Sequence, residues 1–303
     1  MVDTILAGAD AMREAGELYL PKFPNEGSAD YEYRRRNAKF TNVYADIVEN
    51  LSSKPFAEEV TLEDGSAPVY QALAEDIDGR GNNLHVFAST TFFGGINHAV
   101  DWIFVDFTKA TPRADGAPLS LADERAQGLR PYWVRVPARD MLAVYSAMVK
   151  DREVFVHARI RQVLVRRSGF SEVCVERVRV LNRDPIFAIG PDGNPTDQIV
   201  DYAPATFQVW EKVENEKLAA GESPWRVVEE GPVTISDIAL VPFATGRRIP
   251  GTWRWTPPLR GVADLQIEHY QQETSLKSIK QMTAFPMLAG NGVQPPTDAA
   301  GAP

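Results

Sequence analysis

Between Pro131 and Phe243 the apolar residues of this chain recur at every second position, the period of a strand with one face on a core and one in water. Candidate strands are Trp133–Val136, Met141–Met148, Val154–Val165, Glu172–Leu181, Thr206–Val213, Trp225–Val228 and Val233–Ile235. Short turns separate them, and the long crossover helices of a parallel sheet are missing, so the strands are expected to be antiparallel. Along Val154–Gln162 the alternation puts His157, Arg159 and Arg161 on one face and Val156, Ala158 and Ile160 on the other. Pro185–Pro204, with its Pro191-Asp192-Gly193-Asn194-Pro195, reads as a hairpin or a long loop.

Helical patterns flank this segment, which makes the fold class α+β: a helical N-terminus, a predominantly antiparallel β middle and a long C-terminal helix. The first helix is expected over Asp3–Tyr19, broken at Leu20-Pro21-Lys22-Phe23-Pro24. The second starts at Ser28 as N-cap and runs to about Leu51, burying the stripe Phe40, Val43, Tyr44, Ile47, Val48 and Leu51. Ala57–Leu62 reads as a short strand and Asn82–Phe93 as a helix that Gly94-Gly95 ends. Val100–Asp106 reads as an apolar strand, and Lys109–Gly128 as a surface excursion. The last helix follows Pro257-Pro258-Leu259-Arg260, spans Gly261–Thr283 and breaks at Ala284-Phe285-Pro286. Its apolar residues, Val262, Leu265, Ile267, Tyr270, Leu276, Ile279 and Met282, are mixed with Gln, Glu, His and Lys, which suits a helix with neighbours on more than one side. The chain thus divides into a helical and mixed α/β part (1–130), a β-rich part (131–256), a long helix (257–286) and a flexible tail (287–303) too poor in apolar residues to order itself. A strong helix with nothing after it to receive it suggests a part of a larger assembly, or a shortened chain.

The 303 residues are 44% hydrophobic and 24% charged, as in ordinary globular proteins, and hold no apolar run long enough to span a membrane. The N-terminus lacks the basic start and apolar core of a secretion signal. Net charge is −9, which argues against a broad basic face that grips nucleic acid and leaves room for one past which DNA slides. Cys174 stands alone in Val173-Cys174-Val175 and reads as a strand residue. None of His85, His98, His157 and His269 has metal-ligand spacing, and no nucleophile elbow or phosphate loop occurs. Gly79-Arg80-Gly81-Asn82 reads as a turn ending in a helix cap, with a phosphate at that helix start as the sharper alternative. Asp76/Asp78 and Glu229/Glu230 read as solvated acids. The cluster Arg34-Arg35-Arg36 with Lys39 reads as a salt-bridged face, or else as a partner contact. Trp253-Arg254-Trp255 reads as an anchor for the approach to the last helix, or as a cation–π surface. No catalytic residue, metal or cofactor is expected.

Several blocks, in order along residues 7–290, resemble a family of tailed-phage portal-like proteins long known only as a domain of unknown function. They are Gly16–Glu26 followed by Tyr31-Glu32-Tyr33-Arg34 and Asn37-Ala38; Asp76–Ala88; Arg130-Pro131-Tyr132-Trp133-Val134 with Pro137; Ile238–Phe243; and Pro257-Pro258-Leu259 with Ala263-Asp264-Leu265 and His269-Tyr270-Gln271. The resemblance implies a non-enzymatic portal protomer in the virion, assembled in the host cytoplasm. It would be one copy of a homo-oligomeric ring, commonly a dodecamer, at a capsid vertex through which DNA is packaged and ejected. Its partners would be the terminase packaging motor, a head–tail adaptor, capsid proteins and, transiently, DNA, with no membrane. The β-rich middle would be the portal wing and the last helix the first stem helix, with a second stem helix, most of the clip and any crown absent after Pro286. Lys277 and Lys280 would face the channel, and Arg34, Arg35, Arg36, Lys39, Leu265, Leu276 and Ile279 would meet neighbouring subunits. Another virion component, such as an adaptor or minor capsid protein, and an enzyme without a recognisable motif are the alternatives.

Overall fold

Residues 1–192, 194–213, 223–233 and 235–284 are described by the computed structural model. They form two units, one of Val48–Arg260 and one of Met1–Ile47 with the chain from Gly261 onward. Helix and antiparallel sheet are mixed in the α+β manner expected.

In the larger unit, β1 (Val100–Phe107) is the central strand of a sheet ordered β10–β1–β2, where β2 is Pro131–Val136 and β10 is Leu240–Ala244. A second sheet runs β3–β4–β5–β8–β9: Met141–Val149, Arg152–Ser168, Ser171–Asn182, Thr206–Lys212 and Trp225–Pro232. Between β5 and β8 the hairpin of β6 (Pro185–Ile189) and β7 (Pro195–Tyr202) fills the proline-rich stretch, and β11 (Arg247–Arg248) pairs with β12 (Trp255–Thr256). Every pairing among the described residues is antiparallel, as the period of two implies.

The two larger sheets face each other across one core. Val100, Trp102 and Phe104 of β1, Val136 and Leu240 meet Ala158, Ile160 and Leu181 of the five-stranded sheet. Trp102 is packed edge-on against Phe155 and Trp255, with Trp253 tilted against it at 5.9 Å between ring centres. Trp253 and Trp255 therefore anchor the chain that approaches the last helix, the simpler of the two readings of Trp253-Arg254-Trp255. Phe155 reaches this core because a register shift between Tyr145 and Ser146 of β3 leaves Val156 without a partner in β3 and turns the strand over. The alternation read from sequence holds at Ala158 and Ile160 and fails at Val156 for that reason. Beyond Ile160 and before Arg177, β4 and β5 pair only with each other, so their hairpin overhangs the sheet, with Phe170 fully exposed at its turn.

The opposite face of β1 carries Asp101 and packs on helix α6, Leu84–His98. Asn83 caps it, accepting the Val86 N–H at 2.9 Å. The helix does not end at Gly94-Gly95, as expected from sequence, but runs through both. A Cβ on Gly94 would overlap Asp101 and Arg135, and one on Gly95 would press on Phe243 and Thr245. These glycines admit a strand and its ion pair close to the helix. The helix stops at Ala99, whose φ of +73° turns the chain into β1 while its carbonyl accepts the N–H groups of Thr245 and Gly246.

Other boundaries also moved. Ala57–Leu62 is not a strand: the Val60 N–H donates to His85 Nδ1 and enters no ladder. Of the expected strand Val233–Ile235, Val233 and Ile235 are not in a strand, β9 ending at Pro232, and Thr234 lies outside the described residues. In the smaller unit the first expected helix is two, α1 (Val2–Leu6) and α2 (Ala9–Glu14), separated at Gly8 with φ of +90° and followed by a 3-10 turn. The second is also two, α3 (Ser28–Arg36) and α4 (Val43–Ser53), the latter running on into the larger unit at Val48, with Asn42 capping α4 through the Ala45 N–H. Phe40 thus lies outside the helix, Val43 and Leu51 are exposed, and the buried stripe narrows to Tyr44, Val48 and Ser52. Ile47 is only half-buried. Between α5 (Pro68–Glu75) and α6, the Asp76 and Asp78 carboxylates accept the N–H groups of Gly81, Arg80 and Asn82. The chain's own acids occupy the donors that an anion at this turn would need.

Gly94→Ala is expected to destabilise the protein by about 1–3 kcal/mol or more, the range for overpacking a close-packed site, read from urea melts. Gly81→Ala, where a Cβ meets open space, tests the backbone alone, since its φ is also positive.

Candidate subunit-contact surface

A short helix, α7 (Leu121–Ala126), lies in the 109–128 excursion, and the last helix, α8, spans Arg260–Thr283. Ala263, Gln266, Tyr270 and Thr274 recur along one side of it and are all at least 96% buried. Leu265, Leu276 and Ile279, on the far side, are exposed by 64, 51 and 57%. The usual arrangement is inverted: the helix shows leucine and isoleucine to solvent and keeps an amide and a hydroxyl inside.

The buried amide explains how α8 is seated. Gln266 Oε1 accepts the Tyr44 N–H at 3.0 Å while its Nε2 donates to the Thr41 carbonyl at 2.9 Å, spanning the gap between α3 and α4. Lys277 Nζ donates to the Asn37 carbonyl at 2.8 Å, and Gln271 Nε2 to the Tyr19 carbonyl at 2.9 Å. Glu273 accepts from Lys39 and Thr41, and Phe40 meets the Tyr270 ring edge-on. The carbonyls left open where helices break are closed by long polar side chains, as such groups must be. Satisfaction is incomplete. The Tyr31 and Tyr270 hydroxyls, Thr274 Oγ1 and His269 Nδ1 are buried with no hydrogen-bond partner among the described residues. Each such group costs about 1–3 kcal/mol. Burial also pushes the Tyr44 phenol up to about 12.

Beside the exposed end of α8 lies a groove of about 380 Å³ lined by Leu20, Phe23, Gln272, Ser275, Leu276 and Ile279. Its far wall is built on Arg34, whose guanidinium stacks over Phe23 at 4.1 Å and forms a two-point pair with Glu26 at 2.7 Å. That pair is almost wholly buried, and Arg34 also closes the Pro21 carbonyl. Its hydrogen bond to Arg34 holds the Glu26 carboxyl below its ordinary range, against burial.

The basic cluster therefore separates. Arg34 is interior, in place of the subunit contact expected of it. Arg35 pairs with Glu32 and closes the Arg13 carbonyl, and Lys39 pairs with Glu273. Arg36 stays largely exposed, with Glu32 at 3.9 Å. Of the two lysines expected to face a channel, Lys277 is committed to Asn37, and Lys280 is exposed. Phe285 and Pro286, read as the helix breaker, and residues 287–303, read as a flexible tail, lie outside the described residues.

Among the described residues no three His, Cys, Asp or Glu groups converge on a metal-sized space. His157 Nδ1 meets Asn182 Oδ1 at 3.0 Å, His98 Nδ1 lies 3.3 Å from the Gly94 carbonyl at the end of α6, and Cys174 is exposed on β5. The Arg34–Glu26 and Gln266 contacts were illegible in sequence, because each joins residues that only the fold brings together. The inversion of α8 had a signal, since its glutamines and threonine fall at helical spacing.

Lys280→Glu is expected to leave stability within about 0.5 kcal/mol, as surface changes do, whereas Lys277→Ala should cost about 1.5–3 kcal/mol by removing a charged donor. Equal effects in denaturant melts would contradict the seating of α8. The pH dependence of the Glu26 pair has a fixed sign. Its folded pKa lies below the ordinary 4.5, so its contribution is present above that pH and lost as pH falls through the lowered value. Glu26→Gln should flatten the acid limb of a stability–pH profile.

No family model matches this chain, and a search of curated proteins returns no match.

Proposed function

We propose that this protein is a portal protomer, a structural subunit of a ring at a capsid vertex through which DNA is packaged and ejected. The observation that supports this most is the inversion of α8. A helix with Leu265, Leu276 and Ile279 in solvent has the surface of an unassembled subunit. A neighbouring copy that covers these residues, where one surface meets a different one, closes a ring. The order of sequence blocks that resemble portal-like proteins supplies the identity of that ring. In this reading the two sheets are the wing, α8 is the stem helix that lines the channel, and Lys280 is an exposed cation on it. A net charge of −9 suits a channel that must pass DNA without holding it, because every phosphate contact adds salt-dependent affinity. The role needs no catalytic step, metal or cofactor. Motor, adaptor and capsid proteins are its expected partners in the virion.

The test is the oligomeric state of the full-length protein by native mass spectrometry and negative-stain microscopy. Closed rings of about twelve copies are expected, together with their loss in Leu276→Asp/Ile279→Asp at unchanged monomer melting. A monomer at all concentrations, with particles assembling normally in its absence, would refute the assignment. A ring found away from the motor-bearing vertex would favour the adaptor reading.

A further inference from the structure

We propose that β3 of one copy pairs with β9 of the next, so that the five-stranded sheet continues from subunit to subunit. The proposal rests on the ring reading above and names the contact that would build it. β3 and β9 are the two edges of one sheet, and among the described residues their outward backbone groups have no backbone partner. Unpaired edges are templates for another strand, and proteins usually guard them with charge or proline.

β3 is poorly guarded. Its nine residues, Met141 to Val149, include no charge, and Leu142, Tyr145 and Met148 are exposed by 50, 53 and 69%. The register shifts that could blunt it fall at Met141/Ala143 and Tyr145/Ser146, which leaves Ser146–Val149 regular. An open trough of about 630 Å³ runs along Met141–Ser146, walled by Thr252, Trp253 and Arg254. Trp253 is fixed there by a hydrogen bond to Ser146 and by the Arg248 guanidinium, 3.7 Å above its ring and paired with Glu153. The wall is thus preformed. Arg254, exposed on it, makes no ion pair among the described residues.

β9 is the complement. It exposes Val227 and Val228 and then carries Glu229 and Glu230, of which Glu229 meets Lys109. Two such strands would repel each other, whereas the uncharged β3 beside Arg254 would accept one. Direction agrees as well. Four antiparallel steps separate the two edges, so β3 and β9 run the same way. A rotation about a ring axis therefore brings them together as a parallel pair, a heterologous contact, while β3 against β3 would need a two-fold axis and stop at a dimer.

The experiment uses the full chain with Cys174→Ser. One preparation carries Met148→Cys and the other Val228→Cys, and the two are mixed, assembled and treated with a short bismaleimide. Mixed cross-links in excess over either self-pair are expected, together with amide exchange at 141–149 and 225–232 slowed by an order of magnitude or more on assembly. Tyr145→Lys should abolish both at unchanged monomer melting. Rings whose cross-links are absent or join Met148→Cys to itself would overturn this pairing and leave the ring reading intact. Mixed cross-links in open chains without closed rings would uphold the pairing and refute the ring. Absence of any assembly would overturn both.

Discussion

The larger unit is organised around a carboxylate with nowhere to go. Asp101 is fully buried between α6 and β1, accepts Arg135 Nε of β2 at 2.6 Å and the Ala138 N–H at 3.1 Å. These contacts tie the helix face, the central strand, its neighbour and the turn into β3 to one point. Burial pushes its carboxyl above the ordinary range, with the Arg135 charge opposing the shift. The sign follows: the protonated acid is the form the fold favours, so stability from this site is fully present at low pH and declines as the acid ionises. The arginine limits that cost, and loss of it would leave a buried charge alone. Gly94 is the steric counterpart, since only a residue without a side chain lets a helix lie over such a pair.

The smaller unit solves a different problem. Its helices are short, and every break leaves carbonyls that need donors. Arginine, glutamine and lysine side chains supply them from a distance: Arg13 to Ala38, Arg34 to Pro21, Arg35 to Arg13 and Lys277 to Asn37. Long polar side chains are costly to order, and here they work beside an apolar interior of Ile5, Met12, Leu20, Tyr44 and Tyr270, while Leu265, Leu276 and Ile279 of α8 stay outside.

The sheets were legible because a period of two is a strong signal and both faces matter. What failed had local causes that need the third dimension. Gly94-Gly95 looks like a helix stop and is a close approach, a distinction set by Asp101 seven residues on. The stretch 28–51 carries a good helical stripe, yet Asn42 offers a cap and Gln266, more than 200 residues away, rewards the break. The bulge at Val156 has no residue signature at all. For the surface of α8, the mixed polarity was visible from the start; which side is buried was not, since Gln266 and Thr274 read as solvent residues until their partners are known.

The pairing of β1 with β10 sets Val100 against Ala244, a closure across more than 140 residues. Hairpins β3–β4 and β4–β5 involve near neighbours in the chain and can form as soon as they leave the ribosome. Loop-closure entropy grows with the logarithm of separation, and contacts of this reach slow folding. The core that Ala158, Ile160 and Leu181 share with the earlier strands β1 and β2 therefore stays incomplete until Leu240 of β10 has been made. The N-terminal helices wait longer, because Gln266 and Lys277 arrive later still. A nascent chain of this topology carries part of its core open until β10 is made, so its exposure to aggregation during translation follows from where β10 lies in the sequence.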